Sequence, residues 1–432
     1  ASGQLKPTEV NGAIFAAELA LDGHTRPIRG ALVIAEAAQK YGAIKLYLPT
    51  PNVAQASLVE GIEIIGVDSL SGLYGLLKGV KPKVTSTPGG DQIGKLTPSA
   101  LGSTAALHPS EPATTEVSVA AAPTIDSVIG HEQAKRALII AAAGRHNLLF
   151  TGPPGTGKTH LAKVLGGLLP PLSNREVLEV TKLHSLSSGN DTAVQTLPPL
   201  RSPHHSVTLT ALIGGGLKPR PGDVSLAHKG VLFLDELPEY PRATLESLRQ
   251  PLEDRTITLS RLYGTITYPA DVLLIATMNP CPCGYLGDSR TACVCSGAQI
   301  SAYKHRISGP LLDRIDIRLT ISKISNEHFF DANTLQGKQQ AKVLKLILTV
   351  RSVQEKRYKR SGHYNAYALI SDVHTLFHMT PAAKTLMKSA AEKLNLSSRS
   401  ALRVTRVART IADLEASEVL DDIHIAEALQ FR

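Results

Sequence analysis

The fold is decided by the stretch Gly152-Pro153-Pro154-Gly155-Thr156-Gly157-Lys158-Thr159. It fits the pattern G-x-x-x-x-G-K-[ST], follows an apolar strand pattern and precedes a helical one, as that pattern requires. Glycines let backbone N–H groups approach phosphates, and the helix N-terminus adds its positive dipole end. Lys158 is expected to neutralise the β- and γ-phosphates, and Thr159 to offer its hydroxyl to Mg²⁺. We therefore expect these eight residues to bind ATP.

Two later strand patterns end in polar side chains. One delivers Asp235 and Glu236, and the next ends at Asn279. Ligands of open α/β folds bind at the carboxyl ends of the strands. Asp235 is therefore expected to hold Mg²⁺ through its waters, together with Thr159, and Glu236 to activate the attacking water. Taken alone, Asn279-Pro280 is better explained as a turn, but the order of the three strand ends favours an Asn279 side chain that reaches the γ-phosphate and the water.

Buried strand patterns that alternate with helical ones predict an α/β fold with a parallel sheet covered on both faces. Residues 1–80 form a separate small α/β pattern, and residues 81–122, rich in Pro, Ser, Thr, Gly and Ala, predict a flexible linker. The core of the predicted sheet occupies 123–322. Strand patterns disappear afterwards, so 323–432 is expected to be helical.

Lys158 and Asp235 are 77 positions apart, which is more than a strand, a helix and a crossover need, so an insertion is expected. Residues 204–223 predict loops or a hairpin, and 256–268 predict a second hairpin that turns at Tyr263-Gly264. We hypothesise that both contact DNA phosphates. The basic residues available for this are Lys218, Arg220, Arg255 and Arg261.

All four cysteines lie within 15 residues, at Cys281, Cys283, Cys293 and Cys295. Four thiols at this density suggest a structural Zn²⁺ site, which would have no open position for catalysis. The C-x-C spacing differs from the usual C-x₂-C, and a loop of reduced thiols fits the sequence about equally well.

The composition excludes several classes of protein. Four cysteines in 432 residues do not make a disulfide framework, which favours a reducing compartment, the cytoplasm. No apolar run reaches the roughly 18 residues of a membrane helix. The net charge of +9 lies almost wholly in residues 301–432, with 21 Lys and Arg against 13 Asp and Glu. Charge alone favours a solvated basic surface on a helical region, although the excess also permits a polyanionic partner.

The motifs together resemble the AAA+ ATPases, and most closely their magnesium-chelatase-like branch, which shares features with replicative helicases. Within it, the chain looks like the ComM/YifB proteins along essentially its whole length. The residues that carry the resemblance are the phosphate loop at 152–159, Pro203-His204-His205, ALIGGG at 211–216, GVLFLDELPE at 230–239, LESLRQPL at 245–252, TMNP at 277–280, the cysteine stretch at 281–295 and SGPLLDRID at 308–316.

The resemblance implies a hexameric ring that hydrolyses ATP with Mg²⁺. In ComM the activity is DNA branch migration, which extends recombination during natural transformation. By position, Asn279 resembles sensor 1, and Arg314 resembles the arginine finger that a neighbouring subunit inserts. Arg399 resembles the sensor 2 arginine, although Arg403, one turn later, could serve instead. The alternative for each arginine is a surface residue on a helix.

Residues 22–78 resemble the proteolytic domain of Lon, through GHTRPIRG at 23–30 and a second match at 35–49. Where Lon carries its catalytic Lys, this chain has the residues of 31–34, which are Ala, Leu, Val and Ile. The Ser-bearing segment would precede Ala1. No Ser–Lys dyad can therefore be assembled from these residues. The resemblance predicts a partial domain that supports assembly or substrate positioning.

Three functions follow from these observations. The favoured one is an ATP-driven motor with single-stranded and branched DNA and further copies of itself as partners. The alternative is a magnesium-chelatase-type motor that acts on a protein partner. The presence of Lys158, Asp235, Glu236 and Arg314 disfavours the third, a scaffold that binds nucleotide without hydrolysis.

Overall fold

In the computed structural model of the chain, the described residues are 10–79, 123–187, 193–217, 219–261, 264–288, 290–323 and 339–432, together with Leu5 and Thr8. They fall into two compact units. One combines the described residues of 5–79 with those of 172–196, and the other combines 123–171 with those of 197–432. The linker predicted at 81–122 lies outside the described residues.

The first unit is built on a small parallel sheet of order β1-β4-β5. Helix α1 covers it with Ala31, Leu32 and Ala35, which are fully buried. The small α/β pattern expected within 1–80 is therefore observed in the described residues of that range. In chain order the elements are β1 (Ala13–Phe15), β2 (Glu18–Leu19), β3 (Thr25–Arg26), α1 (Ala31–Lys40), β4 (Lys45–Pro49), α2 (Val53–Ala56), β5 (Glu63–Val67) and α3 (Leu70–Leu77).

The next part of the chain contains the five-stranded sheet and its helices. Its elements are α4 (Glu132–Gly144), β6 (Leu148–Thr151), α5 (Lys158–Leu168), α6 (Asn174–Ser185), β7 (Leu200–Arg201), α7 (Leu209–Ile213), β8 (Gly214–Gly215), β9 (Arg220–Pro221), α8 (Asp223–Leu226), β10 (Val231–Leu234), α9 (Arg242–Ser247), α10 (Arg249–Asp254), β11 (Thr256–Arg261), β12 (Gly264–Pro269), β13 (Leu273–Met278), α11 (Gly297–Lys304), α12 (Gly309–Leu312) and β14 (Ile317–Thr320).

Helix α6 belongs to the first unit although it follows α5 in sequence. Its Lys182 forms a salt bridge with Glu36 on α1, and the Gly30 N–H donates to the carbonyl of Ser185 at 3.0 Å. Leu178 packs against the core formed by α1, β4 and α2. The insertion expected between Lys158 and Asp235 therefore includes a helix that completes the core of the N-terminal unit.

The second unit contains a five-stranded sheet of order β14-β6-β13-β10-β7, in which every neighbouring pair is parallel. Leu148 pairs with Ile275, and Phe233 pairs with the same residue from the other side. The strands β6, β10 and β13 are buried almost completely because helices cover the sheet. The predicted parallel α/β fold is thus confirmed. Its central strands all end at one edge, next to the phosphate loop.

The C-terminal part is helical, as expected. Helices α13 and α16 pack against α4 and join its core. On α16, buried Val404, Val407 and Ile411 recur at helical spacing along one face. Within the described residues after 338, extended pairing is limited to one bridge between Met379 and Leu420. The helices are α13 (Gln339–Tyr358), α14 (Ile370–Leu376), α15 (Pro381–Lys393), α16 (Ser398–Leu414) and α17 (Asp422–Gln430).

The two predicted insertions are observed as hairpins. The segment 204–223 contains α7 and the two-residue pair β8–β9, while β11 and β12 form a six-residue antiparallel ladder. The Tyr268 hydroxyl on β12 donates to the carbonyl of Pro219 at 2.9 Å, so the hairpins touch. Leu212 is fully buried, and the first insertion therefore also contributes to a core. Among the described helices, none is long and apolar enough to cross a membrane.

Candidate functional site

The phosphate loop leaves β6 through a position that only glycine can occupy. A Cβ on Gly152 would lie 2.3 Å from the carbonyl oxygen of Ile321. Lys158 begins α5, and its Nζ donates to the carbonyls of Gly152 and Pro153 at 2.6 and 2.8 Å. It also donates to Oδ1 of Asn279 at 3.2 Å. Partial burial lowers the pKa of the Lys158 ammonium, although the negative charge of the carboxylates on β10's end opposes this shift.

Thr159 and Asp235, the predicted Mg²⁺ ligands, lie together. The Thr159 hydroxyl donates to Oδ2 of Asp235 at 2.9 Å. Thr277, at the end of β13, donates to Oδ1 of the same carboxylate and accepts the backbone N–H of Glu236 at 3.1 Å. A hydroxyl and a carboxylate are hard oxygen ligands of the kind that Mg²⁺ takes together with water and phosphate. This oxygen pair therefore fits the metal.

Glu236 projects from a sharp turn at the end of β10. Its backbone is left-handed, with φ of 51°, and its side chain is about half exposed. Oε2 of Glu236 lies 3.9 Å from Nδ1 of His205. The His205 ring packs against His204 and meets the edge of Tyr240, whose hydroxyl donates to the carbonyl of Pro203 at 2.6 Å. Burial raises the pKa of Tyr240 and keeps that donor protonated.

Lys158, Thr159, Asp235, Glu236 and Asn279 thus surround one cavity of about 270 Å³, which the phosphate loop and the end of β13 complete. An ammonium, a hydroxyl, two carboxylates and an amide are the groups that bind a triphosphate with its metal and orient a water. The structure therefore brings together all the predicted site residues that follow the three strand ends.

Arg314 and Arg399 lie elsewhere in the same unit, where they line a second cavity of about 310 Å³. Arg314 donates to the carbonyls of Arg249 and Pro310 at 2.9 and 2.7 Å and forms an ion pair with Glu253. The arginines that line this cavity are Arg145, Arg255, Arg314, Arg399, Arg403 and Arg406. Three acidic residues also line it, Glu253, Asp313 and Asp316, so the second cavity carries a net positive charge; it shares no lining residue with the phosphate-loop cavity.

The two sensor 2 candidates have different environments. Arg403 is fixed: its guanidinium donates to the carbonyls of Leu312 and Ile315 and to Oδ1 of Asp313, all within 3.1 Å. Arg399, one turn earlier on α16, is exposed. Arg403 therefore holds the turn that precedes β14, and Arg399 has the more accessible guanidinium.

The four cysteines converge. Their four Sγ atoms all lie within 4.8 Å of one another. Backbone hydrogen bonds from Tyr285 and Val294 lower the pKa of Cys283 to about 6, whereas burial and hydrogen bonds to the neighbouring sulfurs raise that of Cys293 to about 12. Four sulfurs gathered in this way are a ligand set that suits Zn²⁺.

The basic residues proposed for DNA contact are not equivalent. Arg220 is exposed on β9. The Arg255 guanidinium lies 3.8 Å from the centre of the Tyr367 ring, so its positive charge interacts with an aromatic ring of the same unit. Lys218 and the side chain of Arg261 lie outside the described residues. On the ladder, the side chains of Thr258 and Thr267 pair at 3.2 Å and those of Ser260 and Thr265 at 3.3 Å, which gives one face a row of hydroxyls.

Sequence reasoning missed Thr277 and the neighbours of Glu236. Thr277 belongs to the TMNP motif, but it lies at the end of an apolar run, and its role follows only from its contacts with Asp235 and Glu236 at the end of the neighbouring strand. His205 was noted as part of a family motif, yet only the fold reveals its distance to Glu236. Thr277 could have been predicted from one signal: it carries a hydroxyl near the end of β13, the strand that pairs with β10.

Comparisons with known proteins agree with this geometry. The family described as magnesium chelatase, subunit ChlI, matches residues 124–329, and the family of the ChlI C-terminal region matches 337–432. An archaeal Lon protease of Halobacterium salinarum is 38% identical over 74 residues, which are 17% of this chain and 10% of that protein.

Several relatives match along essentially the whole chain. YifB of Escherichia coli (strain K12) is 37% identical over 433 residues, covering all of this chain and 79% of the relative. The competence protein ComM of Haemophilus influenzae is 37% identical over 436 residues, covering all of this chain and 80% of the relative. With its parallel sheet, phosphate loop and helical C-terminal part, the chain belongs to the ComM/YifB family of magnesium-chelatase-like AAA+ ATPases.

Proposed function

We propose that this protein is an ATP-hydrolysing ring motor that moves on DNA and promotes branch migration in homologous recombination, including natural transformation. Its cofactors are ATP and Mg²⁺, its location is the cytoplasm, and its partners are single-stranded and branched DNA. The single observation that carries the proposal is the cavity in which Lys158, Thr159, Asp235, Glu236 and Asn279 meet.

The division of labour in this cavity follows from chemistry. The phosphate loop holds the β- and γ-phosphates with backbone N–H groups and with Lys158. Thr159 and Asp235 would hold Mg²⁺, and the bound ion would neutralise charge on the phosphates. Glu236 accepts a proton from the attacking water, and Asn279 positions that water and the γ-phosphate. The contact between Lys158 and Asn279 supports this pairing because it places both groups on one side of the cavity.

Hydrolysis is proposed to require a homohexamer. Arg314 and Arg399 line a basic cavity apart from the chain's own phosphate loop, which supports their action on the ATP of a neighbouring subunit. There the guanidinium would meet charge that develops on the transferred phosphoryl, an effect worth about 10³–10⁵ in rate in comparable ATPases and GTPases. The ion pair of Arg314 with Glu253 would have to open first.

DNA contact is proposed for the two touching hairpins. Arg220 supplies an exposed positive charge, and the hydroxyl row of β11 and β12 supplies neutral donors. Side chains of both kinds contact phosphates without reading sequence. The relative named competence protein ComM supports DNA as the substrate, whereas the family described as magnesium chelatase supports the alternative, a protein partner.

The deciding experiment is branch migration on a synthetic four-strand junction, with ATP against a non-hydrolysable analogue. We expect the wild type to migrate the junction with ATP but not with the analogue. Lys158→Ala loses phosphate contacts and should show no migration. The ATPase rate is measured in parallel, with and without single-stranded and branched DNA. ATP hydrolysis that DNA neither stimulates nor requires, together with no DNA binding at moderate salt, would transfer the proposal to the protein-partner motor.

A further inference from the structure

The four cysteines occupy positions that one metal ion would require. The Sγ atom of Cys281 lies 3.4 Å from that of Cys283 and 3.6 Å from that of Cys293, and the latter two are 3.6 Å apart. The fourth sulfur, of Cys295, accepts the backbone N–H of Cys283 at 3.4 Å. Ligands at the usual Zn–S distance of about 2.3 Å stand about 3.8 Å apart at the corners of a tetrahedron. The observed spacing is close to this value.

Other sulfur chemistry fits less well. A disulfide brings its two sulfurs to about 2.05 Å, well below every separation in this cluster, and all four cysteines are free thiols in the structure. An iron–sulfur cluster of several irons divides the cysteines among its metals and spreads their sulfurs. Here all four lie within 4.8 Å of one another, around a single point. Tetrahedral coordination by four sulfurs is typical of zinc.

The cysteine loop, residues 281–295, connects β13 to α11 and gains little support from regular structure. Its described residues contain turns but neither helix nor strand. Just after it, Ser296 caps α11. Cys281 is fully buried, whereas Val294 is 85% exposed. A loop of this length normally needs a binding partner or a cross-link to hold one conformation. A bound metal would supply that cross-link.

The loop contacts the phosphate loop directly. Gly284 has φ of +86°, and a Cβ built there would lie 2.9 Å from Cδ of Pro154 and 3.9 Å from Cγ of Asn279. On its other side, Asp288 pairs with Nζ of Lys323 at 2.5 Å, just beyond β14. The backbone at Gly284 therefore packs on the ring of Pro154, so the position of the cysteine loop limits where the phosphate loop can move.

We propose that Cys281, Cys283, Cys293 and Cys295 bind one structural Zn²⁺ and that the metal-closed loop braces the phosphate loop at Pro154. Four thiolate ligands leave the ion no open position, so it has no direct part in hydrolysis. Binding releases the protons of the thiols and stabilises the loop. Through Gly284, the metal makes nucleotide affinity dependent on zinc. This second part rests on the proposed ATP site, whereas the zinc site does not.

The first test is the metal content of the full chain, purified under reducing conditions and measured by mass spectrometry. We expect one zinc per chain, and less than a tenth of that in Cys283→Ser/Cys293→Ser. Val294→Ser, which changes an exposed side chain of the same loop, should retain one zinc. A wild-type chain that holds no zinc even after incubation with Zn²⁺, holds another metal, or holds as much as the double variant would overturn the site.

The second test examines the contact of the cysteine loop with Pro154 independently of the zinc site. Gly284→Val keeps all four sulfurs but places atoms against Pro154, so it should retain one zinc and bind a fluorescent ATP analogue at least tenfold more weakly. Val294→Ser should bind the analogue like the wild type. Equal affinity in Gly284→Val and wild type would remove the brace and leave the zinc site. If the wild type bound zinc but no ATP analogue, the proposed function would fail while the zinc assignment stood.

Discussion

Thr277 connects the carboxylate assigned to the metal with the one assigned to the water. Its side chain is fully buried at the end of β13, where it donates to Asp235 and accepts the backbone N–H of Glu236. One hydroxyl thus uses its single proton and one lone pair to orient two adjacent residues. Because hydrogen bonds to charged groups contribute about 1.5–3 kcal/mol, this arrangement has a measurable consequence.

Replacing Thr277 by Val keeps the shape of the side chain and removes both hydrogen bonds. We expect the Mg²⁺ concentration for half-maximal ATPase to rise about tenfold or more, because Asp235 loses the partner that orients it. Thr277→Ser retains the hydroxyl and should remain near the wild type. A Mg²⁺ titration of the three proteins checks this. The same midpoint in Thr277→Val and wild type would show that Thr277 does not orient the carboxylate.

Glu236 is the residue whose charge the proposed chemistry uses directly. Glu236→Gln keeps the size and the backbone turn but cannot accept a proton, so hydrolysis should slow by about 10²–10⁴ while ATP remains bound. Single-turnover hydrolysis and nucleotide binding are measured on the same preparation, with Glu60→Gln, an exposed change in the other unit, as the control. Normal hydrolysis by the Glu236 variant would refute its role as base.

At the level of elements, a buried ionic network joins the segment just before β13 to the helical part. The Asp271 carboxylate accepts hydrogen bonds from Nζ of Lys229 at 2.9 Å and from the hydroxyl of Tyr367 at 2.5 Å. The Arg145 guanidinium lies 3.7 Å from Oδ1 of the same carboxylate. Burial alone would raise the pKa of Asp271, but the charges of Arg145 and Lys229 outweigh it and hold the pKa well below the usual 3.8. The carboxylate is therefore charged in the folded protein at neutral pH.

A depressed folded pKa means that Asp271 stabilises the fold above pH 4 and loses this contribution as the pH falls below it. Asp271→Asn should lower the free energy of unfolding at pH 7 by about 3–5 kcal/mol, because Arg145 and Lys229 lose their buried partner. The loss relative to the wild type should shrink toward pH 3. Urea unfolding at several pH values measures it, with exposed Asp254→Asn as the control. A pH-independent difference would contradict the assignment.

The hairpins give a second prediction at this level. Arg220→Ala should reduce DNA stimulation of the ATPase and lower the salt dependence of DNA binding by about one phosphate contact. Thr258→Val with Thr267→Val should weaken DNA binding and leave the salt dependence unchanged, since the hydroxyls are neutral. Arg175→Ala, a largely exposed charge on α6, is the matched control. Undiminished stimulation in both hairpin variants would exclude this surface from DNA contact.

Local sequence predicted much of the core and little of the long-range arrangement. The phosphate loop and the strand ends could be predicted because glycine spacing and apolar runs act over a few residues. The place of α6 could not, because the Lys182–Glu36 pair joins residues 146 apart. The position of Arg314 in a second cavity could not be predicted from local sequence either, because it depends on contacts between residues far apart in the chain. The bounds of α13 could not be predicted either, because its terminal turns are polar and carry no apolar periodicity.

At the level of the whole molecule, the first unit is discontinuous: residues before the predicted linker share a core with α6. Cleavage at a protease site inserted within 81–122 should therefore leave two fragments that elute together under native conditions. Leu178→Glu places a charge against that core and should release the N-terminal fragment, whereas Arg175→Glu on the exposed side should not. Size-exclusion chromatography checks this, and separation of the cleaved wild-type fragments would disprove the shared core.

The same discontinuity constrains how the ATPase can be shortened. A deletion that ends at the predicted linker would remove α1 but leave α6 behind, with Leu178 and its neighbours stripped of the surface they cover. Such a truncation is expected to aggregate for a reason unrelated to ATP or DNA. A minimal motor therefore requires two excisions, one before 123 and one that replaces 172–196 by a short polar turn between α5 and β7.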